Sequence, residues 1–260
     1  MMPRVADFDP EKPSIARVYD YFLGGRDNFA ADRELAQRLV VIFPQIPIIA
    51  QENKVFLDRA LTWVAGEGID QFIDLGCGIP TVPGTHTSAR AVVPGARVAY
   101  VDNDPVVISH LKASLGDDPG TTIVDGDVRE AEAIVAAIAG GLDLSRPACL
   151  IMAALLHFFE AEAGRELVAR YVAALAPGSL VVIAVGLPNG GDSDRFFSTY
   201  STASARLYKH SAADVAAFFG NLELVPPGVA DARVWQPGSP TVTPPPRRDF
   251  ELAVGVARVR

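Results

Sequence analysis

Cysteine is scarce in this chain: 260 residues contain only Cys77 and Cys149. So few thiols suit a reducing compartment. The strands assigned below put the two toward opposite ends of neighbouring strands, so no disulfide is expected. Histidine is also sparse. His86, His110, His157 and His210 stand singly, no grouping with the cysteines has metal-ligand spacing, and no metal site is expected. Long apolar runs are missing: the longest, 148–159, contains His157 and falls short of the roughly 18 residues a membrane-spanning helix needs. Residues 1–12 carry Arg4, Asp7, Asp9 and Glu11 around no apolar centre, so neither a signal peptide nor a membrane partner is expected, and the protein reads as cytoplasmic. Basic clusters are lacking too. A net charge of −8, with one arginine pair (Arg247–Arg248) in a proline-rich stretch read as a solvated loop, argues against a nucleic-acid partner, which needs clustered Lys and Arg. No G-x-S-x-G elbow or Walker loop occurs.

What the chain does have is a large apolar content, 49%, enough to bury a substantial core. Its first third reads as helical. Ile15, Val18 and Phe22 recur at helical spacing, with Arg17 and Asp20 on the other side, and Gly24–Gly25 closes that helix. Two more helices are expected at 30–42, stopping before Pro44, and at 47–65, closed by Gly66 and Gly68. From Gln71 onward short apolar strands (71–75, 97–101, 121–124, 148–154, 180–185) alternate with helices at 85–93, 105–115, 129–139 and 160–175. That alternation predicts a parallel sheet covered on both faces, doubly wound through right-handed crossovers. A short helix capped by Ser211 follows, then strands at 222–225 and 251–259, expected as a hairpin adding an antiparallel strand to the sheet edge. Segment 186–210 reads as an irregular insertion with one helix near 194–207. The expectation is one α/β domain over 1–260, with a helical cap at 1–68 and a Rossmann-like seven-stranded core at 69–260.

The chemistry concentrates at strand ends. Phe72-Ile-Asp-Leu-Gly-Cys-Gly-Ile-Pro80 spans the end of the first strand and its turn, where Gly76 and Gly78 let the backbone turn sharply and approach a ligand. Ligands of doubly wound sheets sit at the carboxyl ends of the strands. Asp102, in Tyr100-Val-Asp-Asn-Asp-Pro105, stands roughly where such folds keep a ribose partner, with Asn103 beside it and Asp104 as a helix cap. After the third strand Asp127 can accept from an adenine amine and Val128 can cover the ring; the alternative for Asp127 is a helix cap. Each signal is weak singly; their order is stronger.

The acid at Asp74, two places before the first glycine, distinguishes this turn from the nicotinamide fingerprint, whose third glycine is replaced here by Thr81. The acidic-x-Gly-x-Gly form resembles the first motif of class I methyltransferases. Their common third glycine is Pro80 here. A longer segment, Ser14-Ile-Ala-Arg-Val-Tyr-Asp-Tyr-Phe-Leu-Gly-Gly-Arg-Asp-Asn-Phe-Ala-Ala-Asp-Arg33, resembles the signature of an S-adenosylmethionine methyltransferase family abundant in actinobacteria and long catalogued as a domain of unknown function. Its glycine turn also carries proline at the place of Pro80. Val101-Asp-Asn-Asp-Pro105, Leu156-His-Phe158 and the ending around Trp235 are similar to that family as well, so the likeness covers nearly the whole chain. It implies the class I fold and S-adenosyl-L-methionine as cofactor, and names no methyl acceptor.

On that resemblance, Gly24–Gly25 would bend the chain over the open end of the sheet. Arg26 is then placed to pair with the cofactor's carboxylate, Asn28 to hydrogen-bond nearby or cap the second helix, and Tyr19 and Tyr21 to wall the pocket. The plainer alternative is a helical hairpin with solvated charges. Ala154-Leu-Leu-His-Phe resembles a stretch of small-molecule methyltransferases whose first position lies beside the cofactor. His157 is the candidate general base, with a structural hydrogen-bonding role as its alternative. His86 and Cys77 lie near the turn without an identifiable partner; His110 and His210 read as surface. The expected cofactor-binding set is therefore Tyr21, Arg26, Asn28, Asp74, Gly76, Gly78, Asp102, Asn103, Asp127, Val128 and Ala154. The expected activity is methylation of oxygen or nitrogen on a small molecule. The rivals are a non-catalytic S-adenosylmethionine-binding protein and an NAD(P)-dependent oxidoreductase.

Overall fold

The computed structural model describes residues 9–260 except 204, 241, 242 and 244; the readings made of residues 1–8 and of Pro244 lie outside these. Three helices come first: α1 (Ile15–Phe22), α2 (Ala30–Ile42) and α3 (Ile46–Gly66). Then follow β1 (Gln71–Leu75), α4 (Thr85–Arg90), β2 (Arg97–Asp102), α5 (Pro105–Leu115), β3 (Thr121–Asp125), α6 (Ala131–Ile138) and β4 (Cys149–Ala153). A single 3₁₀ turn (Leu156–Phe158) leads to α7 (Ala161–Val172) and β5 (Leu180–Pro188). Last come α8 (Ser193–Tyr200), α9 (Ala212–Phe218), β6 (Glu223–Leu224), β7 (Ala230–Asp231) and β8 (Phe250–Arg258). Among the described residues no helix is long and apolar enough to cross a membrane.

The strands form one sheet in the order β3-β2-β1-β4-β5-β8-β6, with the short β7 also paired to β8. Strands β1 to β5 pair in parallel, and β8 runs antiparallel to β5 from Leu180↔Arg258 to Pro188↔Phe250. The last strand thus lies inside the sheet, between β5 and β6, where the sequence suggested an addition at the edge. A nine-residue apolar strand gains more by covering both its edges than the two exposed residues of β6 would.

Side chains alternate across the strands and divide the core. Phe72, Val98, Ile151 and Val182 face a layer built by α3, α4 and α5, whereas Ile73, Ala99, Leu150 and Ile183 face α6, α7 and α9. Helix α3 buries Phe56, Ala60, Leu61 and Val64 against the first face. It is therefore a layer of the core, and α1 and α2, the cap, join the same cluster through Val18, Phe22, Leu35 and Leu39. Asp32 staples those two helices. Fully buried, it accepts the Ser14 N–H at 2.9 Å, the Phe29 N–H at 2.8 Å and Arg17 Nε at 2.8 Å. Arg17, only 3% exposed, and the buried Asp20 are thus inside the cap, not on a solvated side. Segment 186–210 also differs from expectation: β5 continues to Pro188, and α8 stops at Tyr200. Arg248, read as solvated, pairs through Nη1 with Glu52 at 2.8 Å.

Candidate active site

The ends of β1 and β2 build the floor of a cavity. Because Phe72 faces the α3 layer, the alternation of β1 puts Asp74 on that side too, the polar member of an apolar row. Its Oδ2 accepts from Thr85 Oγ1 at 2.6 Å. Burial pushes the Asp74 carboxyl up to about 6; the Thr85 bond opposes the rise and the nearby Asp102 charge adds to it. The turn that follows needs left-handed backbone at Gly76 (φ 64°) and Gly78 (φ 66°). A Cβ on Gly76 would also come within 2.8 Å of Leu155 Cδ1, while Gly78 opens onto free space.

Asp102 closes this turn. Its Oδ2 accepts the Gly78 N–H and its Oδ1 the Asp104 N–H, both at 2.9 Å. The carboxylate is 8% exposed, and burial raises its pKa. Each oxygen still has acceptor capacity for a ribose hydroxyl. Asp104 caps α5 through the Val106 N–H at 2.8 Å, and its other oxygen accepts the Ser14 hydroxyl, so the cap is tied to the cavity floor. Beyond β3, Asp127 accepts the Arg129 N–H and Arg129 Nε, both at 2.9 Å, and the guanidinium bond holds its carboxyl below the usual range. Both Asp127 and Val128 border the cavity. Past β4, Ala154 is the one non-glycine residue with positive φ (54°) among those described. Such backbone costs on the order of 1–3 kcal/mol and tends to mark functional sites. Here it turns the chain from β4 into the 3₁₀ turn carrying His157. That imidazole packs edge-on to Phe158 at 4.4 Å, and burial, helped by His210, pushes its pKa down to about 3. It is neutral at pH 7.

The cavity holds about 740 Å³, within the range of small-molecule sites. One end is polar, with Asp74, Asp102, Asn103 and Asp127; the other is aromatic, with Tyr19, Phe158, Phe196, Tyr200 and Phe250. Gly76, Gly78, Ala154 and His157 lie along it as well. Three expected residues do not. Arg26 is exposed on the turn after α1 and does not line the cavity. Asn28 turns inward, but its Nδ2 donates to Asp20 Oδ2 at 2.8 Å and to the Gly25 carbonyl at 3.1 Å. Tyr21, two residues from the cavity-facing Tyr19 and so on another side of α1, packs against Phe22. The glycine pair serves Asp20: a Cβ on Gly25 would lie 1.9 Å from Asp20 Oδ1. His210, read as surface, is 4% exposed, its Nε2 3.3 Å from the Leu156 carbonyl and its ring edge-on to Phe218. His86 has a partner after all, the Tyr100 hydroxyl at 2.8 Å.

Sequence reasoning missed Ser14, Thr85, Asn53 and Tyr200. Asn53 left a readable trace. It falls in the apolar stripe Ile46, Ile49, Phe56, Ala60 of α3, where a polar side chain must be buried.

This sheet order, with a glycine turn after β1 and carboxylates in the last residues of β1 and β2, is that of the class I methyltransferases. The S-adenosyl methyltransferase family profile matches residues 2–260, and the chain belongs to that family. Two crystal structures agree over nearly full length. A protein of Thermobifida fusca YX, provisionally named a methyltransferase, is 36% identical with a TM-score of 0.89, covering 99% of this chain and 98% of that one. A DUF574 family protein of Streptomyces avermitilis MA-4680 is 32% identical with a TM-score of 0.88, covering 97% and 99%. Magnesium protoporphyrin IX methyltransferase of Synechocystis PCC 6803, solved with S-adenosylhomocysteine, shares the fold at 14% identity and a TM-score of 0.54, covering 97% of this chain and 100% of that one. No functionally curated protein matches the chain. The cofactor of this family is S-adenosylmethionine, and the donor set fits it: Asp102 has acceptor capacity for ribose hydroxyls, and the half-buried carboxylate of Asp74 suits a cationic ligand.

Proposed function

We propose that the protein methylates an oxygen or nitrogen of a small molecule. The observation that carries this reading is the continuity of one cavity from the carboxylates of the strand ends to the aromatic chamber under α1 and α8. Bound at the polar end, S-adenosylmethionine supplies an activated methyl group, transferred as a C–O or C–N bond forms and the S–C bond breaks, its electron pair staying on sulfur. The protein's own contribution is mainly positioning. Asp102 and the glycine turn fix the nucleoside, Asp74 faces positive charge, and the aromatic walls hold the acceptor. His157 also lines this cavity. A neutral imidazole accepts a hydrogen bond from a hydroxyl nucleophile, but one with a pKa near 3 is a weak proton acceptor. Its role on this reading is to orient the nucleophile, whose proton leaves to solvent.

An acceptor screen with labelled S-adenosylmethionine tests the proposal, with turnover as the readout. For an active acceptor, His157→Ala should lower turnover by up to about 10²-fold through lost orientation of the nucleophile, while cofactor affinity stays within about twofold. The low basicity of His157 also favours a second reading, a non-catalytic S-adenosylmethionine-binding protein. Tight cofactor binding with no turnover across the screen would select it. The oxidoreductase rival gains no support from the family match or from the fold relatives.

A further inference from the structure

The aromatic end of the cavity has a polar group that the cap itself leaves unsatisfied. Asn53 is 4% exposed and lines the cavity; its Nδ2 donates to the Tyr19 hydroxyl at 2.9 Å, and its Oδ1 has no partner. A buried amide oxygen without a donor is costly, on the order of 1–3 kcal/mol. It is relieved only by a ligand or water that brings an N–H or O–H.

Around it the walls are rings. Tyr200 lies 6.4 Å from Phe158 and 5.6 Å from Phe196, and Phe196 in turn 5.5 Å from Phe250. Burial pushes Tyr19 up to about 12 and raises Tyr200, to which the nearby Tyr19 adds, so both hydroxyls remain neutral at pH 7. Asp20 also borders the cavity, but its Oδ2 is already held by the Asp27 N–H at 3.0 Å and by Asn28 Nδ2. Lys54 turns its ammonium to the Val82 carbonyl at 3.3 Å. This end therefore offers ring faces and one buried, unsatisfied hydrogen-bond acceptor, which an anionic group cannot answer; a further cation on the cavity border, Arg206, is exposed and sits over the Tyr208 ring at 5.2 Å.

We propose that the methyl acceptor is a neutral, planar aromatic molecule bearing a hydroxyl or N–H, stacked among Phe158, Phe196 and Tyr200 with its donor on Asn53 Oδ1. This rests on the small-molecule methyltransferase reading above. Offset or edge-to-face ring contacts hold such a molecule in plane, and an unsatisfied buried acceptor discriminates strongly against an analogue without the donor.

The test uses the full chain saturated with S-adenosylhomocysteine and three probes measured by calorimetry: 2-naphthol, 2-methoxynaphthalene, which lacks the donor, and 2-naphthoate, which is charged. The expected result is that 2-naphthol binds at least about tenfold tighter than the other two. Asn53→Leu should abolish its advantage over 2-methoxynaphthalene and leave S-adenosylhomocysteine affinity within about twofold. Should Asn53→Leu fail to fold by circular dichroism, Asn53→Gln, which moves the amide by one methylene, replaces it with the same expectation. Preference for 2-naphthoate, or binding of none of the probes to the cofactor-loaded protein, overturns the proposal. So does a folded Asn53 variant that loses S-adenosylhomocysteine affinity, because Asn53 would then belong to the cofactor. Failure of the unaltered chain to bind S-adenosylhomocysteine at all would instead strike the methyltransferase reading itself.

Discussion

The two ends of the cavity are built in different ways. At the polar end, backbone geometry does most of the work. A left-handed turn at Gly76 and Gly78, a carboxylate closing it from the next strand and a capped helix beyond are fixed by residues within a few positions of a strand terminus. At the cap, side chains do it: Asp32 joins two helices, Asp20 fills the space under Gly25, and Asn53 reaches Tyr19 from 34 positions away. The first arrangement is repeated wherever such a sheet binds a nucleoside. The second draws Asp20, Gly25 and Asp32 from the 14–33 segment, and it encloses the chamber where specificity would reside.

If the cap depends on a few buried polar links, removing one should cost more than any change at the floor. Asp32→Ala breaks the buried ion pair with Arg17 and removes the acceptor for the Ser14 and Phe29 N–H groups. The expected loss is about 3–5 kcal/mol, read as a lower denaturant midpoint. A loss under 1 kcal/mol would show that the cap is held by its apolar contacts alone. At the floor, Asp102→Ala should weaken S-adenosylmethionine by about 1.5–3 kcal/mol with the fold intact; unchanged affinity by calorimetry would remove it from the site.

Much of the floor was legible in the sequence, and for a physical reason. Continuous β-branched runs, Pro105 after Asp104 and the Asp74-x-Gly-x-Gly order are local signals, and local rules decode them. The cap was legible as helices but not as a site. Arg26 and Asn28 look like ligand groups in sequence because nothing there reveals that Asp20 gathers the turn around itself. His210 looks exposed between Lys209 and Ser211, yet Tyr208 docks on the His157 carbonyl at 2.8 Å and carries His210 under α9. The end of α8 was misplaced because Thr202 turns its hydroxyl to the Thr199 carbonyl at 2.8 Å, a local bond that competes with helix continuation.

Two smaller effects sharpen the contrast. Asp74 titrates near 6 in the folded chain, above its ordinary value of 3.8. A raised carboxyl pKa means that the empty protein holds this proton more tightly than the unfolded chain does. The resulting stabilisation is full below about pH 3.8 and lost as pH rises through about 6. A cationic cofactor favours the ionised form, so its affinity should fall by up to about tenfold per pH unit below 6 and level off above it. A flat profile from pH 5 to 8 would mean that Asp74 does not meet the positive charge. Smallest of all, Arg26→Ala should change neither stability nor cofactor affinity by more than about 0.5 kcal/mol. A larger drop in S-adenosylmethionine affinity than in 5′-methylthioadenosine affinity would restore the carboxylate role that its place in the sequence suggests.

The bond between the Ser14 hydroxyl and Asp104 makes the roof and floor of the cavity mechanically dependent. Asp104 is also the N-cap of α5, so the first turn of that helix and the start of α1 share one anchor. Neither can fray without disturbing the other. Opening of the cap is therefore a coordinated event, felt at the ribose end of the floor as soon as it begins above the aromatic chamber. Amide hydrogen exchange would register it as matched protection in segments 15–18 and 106–108, stretches about 90 residues apart in the chain.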